Sequence, residues 1–135
     1  MITESQWESL ATAAKAASAN AYSRYSNFRV GAAILSSAGA VASGCNVENA
    51  SYGLTMCAER NAVFTAINSG ATEIVALAVY TPTAHPVTPC GACRQVIAEF
   101  GQDARIRAYC DGPDKIEFTM EALLPAAFAL GMKPT

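Results

Sequence analysis

Two stretches far apart in the chain, Cys57-Ala58-Glu59 and Pro89-Cys90-Gly91-Ala92-Cys93, constrain the fold more than anything else in the sequence. If each opens a helix, its thiols sit where backbone N–H groups and the positive end of the helix dipole favour thiolate. Two thiols one turn apart on one helix, joined by a third from another, suit a tetrahedral ion with one vertex open. Zinc is the natural occupant, one per chain. A fold that uses these residues must therefore bring two helix starts together. Glu59 lies two residues beyond Cys57, within reach of a metal-bound water without being a ligand, which is where a hydrolytic base is needed.

Other readings of the same cysteines stay open at this level. A closed structural zinc site needs a fourth ligand, which Cys45 or Cys110 could supply. A redox Cys-x-x-Cys would stand directly after a strand and would not need the distant Cys-Ala-Glu. The Cys-x-x-Cys pair alone is a weak signal. The upstream Cys-x-Glu and the Pro before the pair make it a strong one.

The chain has 135 residues, enough for one domain spanning 1–135 with a core that needs no staples. Hydrophobic residues make up 52% and charged residues 15%, so some apolar surface is expected to be hidden in an oligomer. Abundant alanine is the competing explanation of that count. The net charge is −2 and the nine Lys and Arg are scattered, which argues against a nucleic-acid partner. No apolar run is long enough to span a membrane, and the first ten residues do not read as a signal peptide. A cytoplasmic location is the expectation, and cysteines there more often bind metal or catalyse than form disulfides.

Hydrophobic periodicity predicts helices over residues 5–19, 57–69, 91–100 and 120–130. Strands are expected over 29–35, 40–47, 74–80 and 105–110, with a short fifth strand or extended segment before the last helix. The turn Ser36-Ser37-Ala38-Gly39 separates the first two strands, and Pro82, Pro86 and Pro89 enforce an extended loop. This order predicts an α/β fold, a three-layer α-β-α sandwich around one mixed sheet. Cys45 and Cys110 are expected to be small buried hydrophobes within strands. His85 stands in the Pro-rich loop outside any ligand spacing.

Residues 55–62 and 89–96 closely resemble the motifs of the small, homotetrameric, zinc-dependent cytidine deaminases. The resemblance extends to 25–33, with Tyr25-Ser26-Asn27-Phe28, to 44–53, with Gly44-Cys45-Asn46-Val47-Glu48-Asn49, and to 121–128. It implies the cytidine deaminase-like fold and hydrolytic deamination of free cytidine and deoxycytidine in pyrimidine salvage. It implies that Cys57, Cys90 and Cys93 bind zinc, that Glu59 shuttles protons, and that Arg60 offsets the charge of three thiolates. Asn46 and Glu48 would bind the ribose hydroxyls, Phe28 would pack on the nucleoside, and Ala58 would also contact substrate. Residues matching Ala50, Tyr52 and Phe128 would enter a neighbour's pocket in the tetramer. From the residues themselves, Phe28 could equally be core, Phe128 could cap the chain's own core, and Asn46 and Glu48 could mark a polar strand end. A zinc-stabilised binding module without turnover, and a deaminase of a nucleoside-like antibiotic or a polynucleotide, are the other functional readings.

Overall fold

The computed structural model describes residues 1–131; residues 132–135, the end of the expected domain, lie outside the described residues. Helix α1 covers Glu4–Ser18 and starts one residue earlier than its periodicity implied. The reason is local: Thr3 and Gln6 form a reciprocal capping box that satisfies two orphan donors. Strands β1 (Gly31–Ser36) and β2 (Val41–Cys45) follow, then helix α2 (Ala58–Asn68) and strand β3 (Ile74–Tyr80). Helix α3 (Gly91–Phe100), strands β4 (Arg105–Tyr109) and β5 (Ile116–Thr119), and the short α4 (Met120–Leu123) complete the order. A single 3₁₀ turn over Tyr52–Leu54, which the periodicity did not announce, precedes α2.

The sheet runs β2-β1-β3-β4-β5, and only the β3–β4 pair is parallel, so the sheet is mixed. Alternation along β1 and β3 builds two cores. Ala33, Leu35, Ala76, Ala78 and Tyr80 face Trp7, Leu10 and Ala14 of α1. Ala32, Ile34, Leu77 and Val79 face the opposite side, where Ala62, Val63 and Ala66 of α2 and Ile97 of α3 close the larger core. The three layers are as expected.

Gly44 decides how closely α2 approaches the sheet. A Cβ there would lie 2.4 Å from the Ala62 nitrogen and 2.8 Å from the Asn61 carbonyl carbon, so only glycine admits the helix backbone. Asn61 Nδ2 then donates to the Cys45 carbonyl at 2.8 Å, pinning α2 to the end of β2.

Two expectations fail. The last helix stops at Leu123, not at 130. Pro125 disfavours helical geometry at the residue before it, and Leu124 has accordingly left the helix at φ −142°, ψ 72°. Nor are Cys45 and Cys110 fully buried strand residues. Cys45 is the half-buried last residue of β2, and Cys110 is half-buried just beyond β4, its thiol directed at the Asp114 carbonyl 3.3 Å away.

Candidate active site

The polar constellation forms where α2 and α3 begin. Cys57 and Cys90 are the N-cap residues of these helices, both with extended backbone, and neither side chain spends itself on a capping hydrogen bond. Cys93 lies one turn into α3 and is buried. The three sulfurs all lie within 4.8 Å of one another, and Cys90 and Cys93 are 3.5 Å apart. A tetrahedral zinc with Zn–S of about 2.3 Å places its sulfurs about 3.8 Å apart, so the cluster fits that ion with little movement. Among the described residues it is the sole group of this kind, and neither Cys45 nor Cys110 takes part. Among the described residues no fourth cysteine of the chain stands near enough to close the site.

The electrostatics of the cluster follow from its neighbours. The contacts with Cys93 and with Arg60 draw the Cys57 thiol down to about 5 against the cost of burial. The neighbouring Cys57 and burial push Cys93 up. A metal ion at the cluster would displace the thiol protons. Arg60 reaches Cys57 Sγ from Nη2 at 3.3 Å, and this contact raises its own pKa.

Glu59, in the first turn of α2, is buried at 6% exposure. Burial pushes its carboxyl up to about 7, and the neighbouring Cys57 charge adds to the effect. A carboxyl near neutrality can both take and return a proton.

Glu59 faces a cavity of about 250 Å³ shared with Cys57 and Cys90. Phe28, Asn46, Glu48 and Ala58 line the same cavity, so the structure brings these four expected residues together. Phe28 is 37% exposed, which rules out the core reading. Asn46 is held at both ends: Oδ1 accepts from the Val30 N–H at 2.9 Å, and Nδ2 donates to the Phe28 carbonyl at 2.8 Å. Glu48 accepts from the backbone N–H groups of Tyr25 (2.9 Å) and Ser26 (3.1 Å) and from the Ser26 hydroxyl. The Ser26 contacts hold its carboxyl below the usual range, so it is ionised at neutral pH. Ser26 Oγ also accepts the Phe28 N–H at 3.0 Å, while Asn27 turns through a left-handed φ of 57°. Sequence reasoning gave Ser26 no role. Its place in Tyr25-Ser26-Asn27-Phe28 was the available signal, but a bond spanning to Glu48 has no local signature.

Ala50, Tyr52 and Phe128 do not line this cavity. All three are exposed, Tyr52 at 77% and Phe128 at 72%, so Phe128 does not cap its own chain's core. His85 is exposed and also stands outside the cavity.

Comparison with known proteins bears directly on this geometry. Residues 4–109 match the family model described as the cytidine and deoxycytidylate deaminase zinc-binding region. The chain belongs to that family. It is 51% identical to a cytidine deaminase of Halalkalibacterium halodurans, over 80% of this chain and 83% of that protein. It is 45% identical to a cytidine deaminase of Sporosarcina psychrophila, over 90% of each. The crystal structure of a cytidine deaminase from Burkholderia pseudomallei superposes with a TM-score of 0.86 at 47% identity, over 90% of this chain and 98% of that one. The deaminase fold expected from the motifs is thus the observed one, and the residues matched by the family model include Cys57, Cys90 and Cys93.

Proposed function

We infer that this family member deaminates free cytidine and deoxycytidine to uridine and deoxyuridine, releasing ammonia. One observation carries the reading: a buried carboxyl, Glu59, opens into the same small cavity as Cys57 and Cys90, two of three clustered thiols able to hold one metal ion, the third being the buried Cys93. A structural zinc module needs neither the cavity nor the carboxyl.

Cys57, Cys90 and Cys93 hold the zinc, and Arg60 tempers the charge of their thiolates. When bound there, zinc lowers the pKa of a coordinated water, so that hydrolysis runs at neutral pH. Glu59 takes one proton from the attacking water and delivers it to N3 of the cytosine ring, making C4 electrophilic. The water oxygen bonds to C4. Glu59 then carries the second proton to the exocyclic amine, the C4–N4 bond breaks, and ammonia leaves. Asn46 and Glu48 read the sugar hydroxyls, since an amide and a carboxylate together match groups that both donate and accept. Phe28 covers the nucleoside, and Ala58, with its backbone at the start of α2, contacts the base. The cavity lies near the small end of small-molecule sites, about 300–1,000 Å³, which suits a nucleoside. Its lining carries two carboxylates, Glu48 and Glu59, and among the described residues no Lys or Arg, so a polynucleotide is disfavoured.

Residues 1–135 act as one deaminase domain, assembled as a homotetramer. Exposed Ala50, Tyr52 and Phe128, outside their own chain's cavity, complete a neighbour's. We place the protein in the cytoplasm as a salvage enzyme, where a reducing environment keeps thiols available for metal. Among the described residues no helix is long and apolar enough to cross a membrane.

The test is ultraviolet monitoring of purified protein with cytidine, deoxycytidine and their monophosphates. Conversion of both nucleosides with little action on the monophosphates is expected. Inertness toward both nucleosides in zinc-loaded protein would overturn the reading.

A further inference from the structure

Arg94 follows Cys93 directly on α3, and its guanidinium ties three segments together. Nε donates to the Pro89 carbonyl at 2.7 Å, and Nη2 to Thr88 Oγ1 at 3.0 Å. Nη1 donates to the Leu123 carbonyl at 2.9 Å, at the end of α4. Thr88 and Pro89 immediately precede Cys90, the one exposed thiol of the cluster. That loop has little else to hold it. Pro86 and Pro89 have no N–H, and among the described residues no backbone–backbone hydrogen bond involves residues 86–89. A planar fork with donors in three directions can fix such a segment, whereas a Lys ammonium on a flexible stem cannot reach the same three acceptors.

We propose that Arg94 is a positioning residue for the metal centre: by clamping Thr88 and Pro89 to α3 and the end of α4, it sets where the Cys90 sulfur stands relative to Cys57 and Cys93. The inference rests on the reading that these three thiols hold zinc. The competing role is a plain staple of α4, which would support stability and leave the metal centre untouched.

The experiment compares zinc-loaded wild type with Arg94→Ala, Arg94→Lys, Thr88→Val and Cys90→Ala. Zinc release to a chromogenic chelator, the thiolate-to-metal band of the Co²⁺-substituted protein, circular dichroism and thermal melting are measured on each. Arg94→Ala should release zinc at least about 10-fold faster, the scale on which groups that orient metal ligands act. Its thiolate-to-Co²⁺ band should weaken while its far-ultraviolet dichroism stays that of wild type. Arg94→Lys should fall between, and Thr88→Val should shift zinc release in the same direction by less. kcat should fall more than KM changes. Wild-type zinc release and cobalt spectrum in a folded Arg94→Ala, with only the melting temperature lowered, would overturn the proposal. If Arg94→Ala does not fold, wild-type zinc release in both Arg94→Lys and Thr88→Val overturns it. Cys90→Ala separates the two levels: wild-type zinc retention there would refute the ligand assignment itself, whatever Arg94 does.

Discussion

Arg60 Nη2 lies 3.3 Å from Cys57 Sγ, one helical turn away, so a cation stands against the thiol of the residue at the start of α2. Three thiolates leave a zinc site with a formal charge of −1, which weakens the metal as a Lewis acid. Arg60→Gln should fold and retain zinc but turn over about 10–100-fold more slowly. Steady-state kinetics on protein with verified zinc content measure this. Unchanged turnover would make Arg60 a bystander.

Glu59→Gln keeps shape and removes the ability to carry protons. Activity should drop about 10³-fold or more, on the scale of a positioned acid–base group. Because the buried carboxyl is pushed up to about 7 by burial, its neutral replacement should melt no lower than wild type. Near-normal turnover would end the mechanism.

X-ray absorption on the zinc-loaded protein should show three sulfurs and one oxygen per metal. Cys45→Ser and Cys110→Ser should keep their zinc, since neither thiol joins the cluster. Four sulfurs, or metal loss in either variant, would restore a closed structural site.

Glu117 accepts from Arg107 Nε at 2.6 Å and also pairs with Arg105. Partial burial raises its pKa, but the two guanidiniums outweigh this and leave it below the ordinary 4.5. A carboxyl depressed in the folded state stabilises above its unfolded pKa, and that contribution fades as pH falls through the folded value. Wild type should therefore exceed Glu117→Gln by about 1 kcal/mol or less at neutral pH, a surface-pair magnitude. In denaturant titrations the difference should shrink below about pH 4.5. A gap that widens on acidification would contradict the pairing.

Phe128 is exposed away from its own chain's cavity, so pocket sharing between subunits has a direct test. Phe128→Ala, weak in binding, and Glu59→Gln, nearly inactive, are unfolded and reassembled together. Some pockets should then combine wild-type Glu59 with wild-type Phe128, and activity at low substrate should exceed the sum of the reassembled parents. Strict additivity in confirmed mixed oligomers would show that each chain completes its own pocket.

Cys90 and Cys93 were legible as a metal-binding pair because helical period alone puts residues three apart on one face. The strands β1 and β3 were legible as short, nearly continuous apolar runs, the pattern of a strand buried on both faces, and both are buried along almost their whole length. The early end of α4 was also written locally, in Pro125, but the apolar run through Leu130 outweighed it. Cys57 was legible as the third thiol from the Cys-Ala-Glu motif. Other features had no local trace. That Cys45 and Cys110 stay out of the cluster is decided by packing, which brings the starts of α2 and α3 together. The clamp of Ser26 on Glu48 spans 22 residues, and that of Arg94 on Leu123 spans 29. Spacing along the chain determines which side chains share a helix face or a strand face. Which faces meet, and so which carboxyl is buried and which aromatic stays exposed, is decided only when distant elements pack.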